Sequence, residues 1–227
     1  HYAGAAADFE GMQNLILTAG AAVIHPAPRA PGAYVILDFG REIAGHLLLD
    51  LEGPAGVILD VGYDEDLDAG RLMTRRGNYR FADRFVLRAG RQTIDGQMHA
   101  RGFRYVQLSF RRLDAPLRLH AVRAVERVHG SPMRATWSCA GDMRLNRLWK
   151  SCANTVRLCA LDTFVDCIWR EQAFWLNDFA VVNGYYLALT GDKNYPAHNL
   201  RLGADGIRPD GLPPNVYPIG KAVSFPG

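Results

Sequence analysis

The feature that most constrains this 227-residue chain is a change of hydrophobic period along its length. Over roughly the first 130 residues, apolar side chains alternate or fall in short aliphatic runs. Beyond about residue 140 they recur at helical spacing. Two periods in succession call for a sheet domain followed by a helical one. The first part reads as short strands at 34–39 (within AYVILDF), 46–51 (HLLLDL), 57–63, 83–88, 91–98, 104–110 and 117–127. Gly40, Gly53-Pro54, Gly56, Ala89-Gly90 and Gly102 separate them as turns. About seven short strands at roughly even spacing suggest an antiparallel sandwich. The runs at 35–37 and 47–49 predict strands covered on both faces.

In the second part Asp142 is placed to cap a helix. Leu145, Leu148, Trp149, Cys152, Val156 and Cys159 follow it at helical spacing. A second helix is predicted over about 174–190, with Trp175, Phe179, Val182, Tyr186 and Leu189 on one side and Gly191 as C-cap. A third is predicted over 194–203, after Asp192. The Gly- and Pro-rich stretch 204–220 predicts a loop. The domains expected are residues 1–132 and 133–227, with Gly130-Ser131-Pro132 in the linker.

Charge excludes several partners. Up to residue 137 there are 17 basic and 15 acidic residues, and after it 9 and 8, which sum to the 26 and 23 of the chain. Neither part is a basic patch, so nucleic acid and membrane partners are not expected. No apolar run approaches the ~20 residues of a membrane helix. No signal peptide is visible after His1. The four cysteines (Cys139, Cys152, Cys159, Cys167) form no CxxC pair, so neither structural zinc nor another metal centre is expected. Cys152 and Cys159 read as small core residues, and reduced buried thiols lean toward the cytoplasm.

The run Asp64-x-Asp66-x-Asp68 has a calcium-loop look, but Ala69 and Arg75 occupy the positions where an EF-hand needs Gly and Glu. The bland reading is a solvated acidic turn paired with the arginines 71, 75, 76, 80 and 84, with another calcium contact as the alternative. His46, His99 and His120 are expected in strands with structural roles. No phosphate-binding loop, dinucleotide fingerprint or nucleophile elbow occurs, so no cofactor is expected.

Residues 162–178, DTFVDCIWREQAFWLND, hold four carboxylates (Asp162, Asp166, Glu171, Asp178) among Trp169, Arg170 and Trp175. Sugar faces stack on aromatic rings, and carboxylates accept hydrogen bonds from hydroxyls. A carboxyl in a partly apolar setting can protonate a leaving oxygen near neutral pH. Glu171, between two tryptophans, is the best general-acid candidate. A helix starting near 171 would put Glu171, Trp175 and Asp178 on one face. The competing reading is a capping cluster, with Asp166 and Glu171 at a helix end and the tryptophans in the core.

The segment Asp166-Cys167-Ile168-Trp169-Arg170-Glu171, followed by Trp175 and Asp178, resembles the signature of bacterial α-L-rhamnosidases, glycoside hydrolase family 78. That signature runs Asp-Cys-Pro-x-Arg-Glu, then Trp, then Gly-Asp. Upstream, YVILDFGREIAGHLLLDLEGPAG, YDEDLDAGRL, YRFADRFVLRAG and HARGFRYVQLSF resemble the family's β-sandwich domain. Downstream, GYYLALTGDKNY and ADGIRPDGLPPNVYP resemble the first barrel hairpin and its following loop. The resemblance implies an (α/α)6 barrel of six helical hairpins and removal of terminal α-L-rhamnose with inversion. It implies Glu171 as general acid. Asp166 and Asp178 would be ligands of the rhamnose hydroxyls, with Arg170 at the same sugar and Trp175 as an aromatic wall. The partner implied is a rhamnose-containing glycoside or oligosaccharide.

Ile168 and Asn177 stand where the family usually has Pro and Gly. Twelve helices of ~11 residues with ~5-residue loops need roughly 190 residues, whereas 90 run from Ser138 to Gly227. The expectation is therefore a sandwich plus an incomplete barrel. The general base, which the family places later, would be missing, and these residues alone would be inactive. Two rival readings remain: another six-hairpin glycosidase, and a sugar-binding protein that does not cleave.

Overall fold

The structure, a computed structural model, describes residues 8–17, 20–26 and 32–218. The end of the loop expected at 204–220 lies outside the described residues. Two compact units divide between Arg127 and Val128. No helix among the described residues is long and apolar enough to cross a membrane.

The first unit is antiparallel β. Its elements are β1 (Phe9–Glu10), α1 (Asn14–Leu17), β2 (Ala22–Ile24), β3 (Ala33–Gly53), β4 (Ile58–Asp64), β5 (Arg75–Arg76), β6 (Tyr79–Arg80), β7 (Ala82–Val86), β8 (Gly90–Asp95), β9 (Arg101–Arg111) and β10 (Leu117–Glu126). Eight of them form one sheet in the order β1-β2-β10-β3-β9-β4-β7, with β8 also on β3, and β5 and β6 form a separate ribbon.

The strands predicted at 34–39 and 46–51 are one strand. β3 pairs with β9 from Ala33 to Asp38, slips register, and resumes at Ile43. From Gly45 onward it pairs with β10 on one edge, and from Leu48 to Gly53 with β8 on the other. Gly40 sits in the slipped segment at φ +76, and its N–H donates to Asp38 Oδ1 at 2.7 Å. A left-handed residue there bends the chain without ending the strand. Gly40 was read as a turn, but the hydrogen bonding continues past it.

The aliphatic runs are not covered on both faces. Val35, Ile36 and Leu37 are half-buried, and so is Leu48, while Leu47, Leu49 and Leu51 are buried. Residues 47–51 thus alternate, as expected of antiparallel strands with one face to the core. Leu59, Val61, Phe103, Val106, Leu108, Phe110, Leu117 and Leu119 complete that core. His99 lies in the turn after β8 rather than in a strand.

The acidic run also departs from expectation. Asp64 is buried, with Oδ1 accepting from Glu65 N at 2.9 Å and Oδ2 from Met73 N at 2.7 Å. It organises the loop's own backbone rather than facing solvent. Arg84 pairs with Asp60, at 2.6 and 3.2 Å, and not with the acidic turn.

The second unit carries α2 (Met143–Leu158), α3 (Leu176–Thr190) and α4 (Asn194–Asp205). Asp142 caps α2, its side chain accepting from Arg144 N at 2.8 Å. Gly191 ends α3 in the left-handed conformation, as read from the sequence. Phe164, Phe174, Phe179, Tyr186 and Tyr195 form the core with Ala160, and Val156, Leu176, Val182 and Leu202 pack on it. The rings meet mostly edge-on, with Phe164–Tyr195 centroids 4.7 Å apart and Phe164–Tyr186 5.1 Å apart, the arrangement that aromatic quadrupoles favour. Cys152 corrects the sequence reading: it is exposed, as are Leu145 and Leu148, while Cys159 is buried. All four cysteines are free thiols.

Candidate active site

The carboxylate-rich segment is a loop between α2 and α3, not the start of a helix. α3 begins at Leu176 and Trp175 holds the N-cap position without a side-chain cap bond. Glu171 is therefore five positions before the helix. The shared helical face expected for Glu171, Trp175 and Asp178 does not exist; Trp175 and Asp178 line one cavity, and Glu171 accepts from the Trp175 indole. The capping alternative fails for the same reason, since neither Asp166 nor Glu171 bonds the α3 terminus.

What shapes the loop is a set of short ties. Asp166 and Ala173 exchange two bonds: Ala173 N donates to Asp166 Oδ1 at 2.9 Å, and Asp166 N to Ala173 O at 3.1 Å. The Cys167 thiol donates to Asp166 Oδ2 at 3.3 Å and accepts from Glu171 N at 3.3 Å. Gln172 turns the chain at φ +52, its Nε2 donating to Ile168 O at 2.5 Å. Ile168 is buried, so the branched side chain at the family's proline position points inward. Asn177, at its glycine position, is exposed on α3.

Two further anchors hold this loop to distant chain. Asn199 on α4 is fully buried; its Oδ1 accepts from Phe164 N at 2.9 Å and its Nδ2 donates to Tyr195 O at 2.8 Å. The Tyr195 hydroxyl donates to Leu161 O at 3.0 Å, and burial pushes its pKa far above the ordinary range, so it stays a neutral donor. On the other side Leu176 N donates to Asn215 O at 2.9 Å and Tyr217 N to Phe174 O at 3.2 Å.

Three of the candidate side chains meet at Glu171. Trp175 Nε1 donates to Glu171 Oε2 at 3.1 Å, and Arg170 Nη2 sits 2.8 Å from Glu171 Oε1. Asp166, Trp175 and Asp178 line a cavity of about 280 Å³ together with Phe164, Phe179 and Tyr185. Arg170 and Asp178 are exposed, while Asp166, Glu171 and Trp175 are half-buried. Two carboxylates and an indole around a mostly apolar recess can hold a polyhydroxylated ring, with its apolar face on the indole and its hydroxyls on the acids. No group of three or more His, Cys, Asp or Glu side chains that could hold a metal occurs among the described residues.

Sequence reasoning named the five side chains but not Asn199, Cys167 as a tie, or the 215–217 strap. A polar residue within a buried helix stripe was the available signal for Asn199.

Two successive family models match. The bacterial α-L-rhamnosidase concanavalin-like domain covers residues 29–128, and the bacterial α-L-rhamnosidase six-hairpin glycosidase domain covers residues 132–226. The chain belongs to the bacterial α-L-rhamnosidase family. Solved structures of this family are similar. A family 78 rhamnosidase of Bacillus sp. GL1 matches with a TM-score of 0.73 and 28% identity over 85% of this chain and 20% of that one. A Klebsiella oxytoca rhamnosidase with rhamnose bound matches at 0.69 and 18%, over 82% of this chain and 39% of that one. The Streptomyces avermitilis α-L-rhamnosidase complexed with L-rhamnose matches at 0.68 and 20%, over 91% and 21%. The chain thus spans about a fifth of the length of the Bacillus rhamnosidase. No curated protein sequence matches.

The loop between α2 and α3 is where this member of the family gathers four of its five candidate side chains, Asp166, Arg170, Glu171 and Trp175. Glu171, the candidate proton donor, is bonded to the Trp175 indole and paired with the Arg170 guanidinium, and the candidate ligands Asp166 and Asp178 line the recess with Trp175.

Proposed function

We propose that this chain contributes the rhamnose subsite and the general acid of an inverting α-L-rhamnosidase. The observation that carries the reading is the convergence of Asp166, Trp175 and Asp178 on one cavity, with Glu171 bonded to the Trp175 indole. In this reading Asp166 and Asp178 accept hydrogen bonds from rhamnose hydroxyls, Arg170 donates to the same sugar and Trp175 walls it. Glu171 gives its proton to the glycosidic oxygen as the anomeric C–O bond breaks. Water adds from the opposite face and loses its proton to a second carboxylate about 6.5–9.5 Å from the acid.

We assign that base to sequence outside residues 1–227, so these residues by themselves do not hydrolyse a rhamnoside. The domains of this reading are a β-sandwich over 1–132 and the opening hairpins of an (α/α)6 barrel over 133–227.

The test is release of nitrophenol from nitrophenyl α-L-rhamnoside by the full product of the coding sequence, with other nitrophenyl glycosides alongside. Glu171→Gln should lower turnover of a natural rhamnosyl disaccharide by at least about 100-fold, the usual scale of general-acid catalysis. Activity on another sugar only would overturn the substrate, and an unaffected Glu171→Gln variant would overturn the acid.

A further inference from the structure

The sheet unit carries a second recess, formed by strand register and independent of the α2–α3 loop. Ser109, Asp60 and Arg84 stand side by side on β9, β4 and β7, and Gln107, Gly62 and Ala82 form the next row but one on the same face. The intervening row is Leu108, Val61 and Asp83, of which Leu108 and Val61 are buried in the core. One face of three adjacent strands is thus a polar grid whose small members leave a depression. The segment at Thr74 crosses it closely: a Cβ on Gly62 would lie 2.6 Å from Thr74 Cγ2. Glycine at 62 is what admits that segment. The result is an open groove of about 670 Å³, walled on the ribbon side by Thr74, Arg75 and Arg80. That size lies within the range of small-molecule sites.

The acids of the groove are already occupied. Asp60 accepts from both Arg84 and Arg111, at 2.6 Å each, and Asp83 accepts from Arg101 at 2.6 Å. The Arg84 guanidinium holds the Asp60 carboxyl below its ordinary range. Arg75 and Arg80 have no carboxylate partner among the described residues; Arg75 Nε donates only to Gly77 O, at 3.3 Å. Two guanidinium groups without a carboxylate partner among the described residues therefore line the groove beside a floor of amide, hydroxyl and small residues.

We infer that this groove binds a saccharide bearing a carboxylate. The Arg75 and Arg80 guanidinium groups would take the carboxylate, and Gln107, Ser109 and Thr74 the hydroxyls. Guanidinium matches a carboxylate in planar, paired hydrogen bonds, while amide and hydroxyl side chains serve ring hydroxyls.

The test is titration of the 227-residue protein with D-galacturonate, with D-galactose and acetate as controls. It is read from backbone amide NMR signals of Gly62 and Ser109. D-galacturonate should bind saturably, and more tightly than either control. Arg75→Ala with Arg80→Ala should weaken it at least about tenfold, the scale of one charge-assisted contact. Both side chains are exposed, so the fold should survive, and an unchanged amide spectrum elsewhere verifies it. Equal binding of D-galactose would overturn the carboxylate, and equal binding of acetate the saccharide. Absence of saturable binding, or binding indifferent to the two arginines, would overturn the site. No outcome depends on hydrolysis, so failure here is separable from failure of the rhamnosidase reading.

Discussion

Replacing Asn199 with alanine tests whether the loop between α2 and α3 is held from α4. Asn199 is fully buried and its Oδ1 is bonded to Phe164 N, 35 positions earlier. The variant strands that amide in the core, which costs about 1–3 kcal/mol. The Tyr195 carbonyl loses a second donor, a smaller loss because the helix still bonds it. The vacated amide volume adds a packing loss, partly offset if a water enters and bonds the Phe164 amide. The sum is about 2–3 kcal/mol. With a urea m-value of about 1.5 kcal/mol/M for a unit of this size, the midpoint should fall by roughly 1.5–2 M. The sequence supplies the assay, because all four tryptophans (Trp137, Trp149, Trp169, Trp175) lie beyond Arg127. Tryptophan fluorescence therefore reports the helical unit alone. Asn199→Asp, at a pH where the carboxyl is protonated, keeps an acceptor for Phe164 N and an O–H donor for the Tyr195 carbonyl, so its fluorescence midpoint should lie closer to that of Asn than to that of Ala. A shift below about 0.5 M for Asn199→Ala would refute the anchoring argument.

In the sheet unit, burial and the neighbouring Glu65 and Asp64 carboxylates push Glu42 up to about 8, and its Oε1 is buried with no partner. The folded state then holds a proton that the unfolded chain releases near 4.5, so stability should fall as pH rises from about 5 to 8. Glu42→Gln should remove that slope and gain about 2 kcal/mol at pH 8, a figure reduced for the solvent that reaches the side chain. Circular dichroism melts across pH would check it, and an unchanged slope in the variant would contradict it. In the site, the Cys167 thiol ties Asp166 to the Glu171 amide. Cys167→Ala should cut rhamnoside kcat/KM of the full gene product about five- to tenfold, with Cys167→Ser recovering part, since each lost tie is worth about 1 kcal/mol. Kinetics equal to wild type in the alanine variant would remove Cys167 from the positioning of the loop.

Much of the fold is local and therefore legible in the chain. The helices appear where apolar residues recur at helical spacing, α2 opens on Asp142 and α3 closes on Gly191. Caps and periodicity depend on neighbours a few residues apart, and those neighbours are written consecutively. The candidate site was legible as residues but not as geometry. The run from Asp166 to Asp178 named its members, yet the expected helical arrangement gave way to a loop. The ties that shape this loop include residues as remote as Asn199 and Asn215. Cys152 and Leu148 misled in the same way, since helical spacing identifies a face without saying what packs on it.

The sequence by itself determined where strands give way to helices, and it named the candidate residues of the site. Tertiary structure alone decided that β3 runs unbroken past Gly40. It also decided that Asp64 is buried, and that Ser109, Asp60 and Arg84 stand in one row. Those facts depend on strand register and on contacts between segments tens of residues apart. Many remote partners compete for each such contact, and only the packed core selects among them.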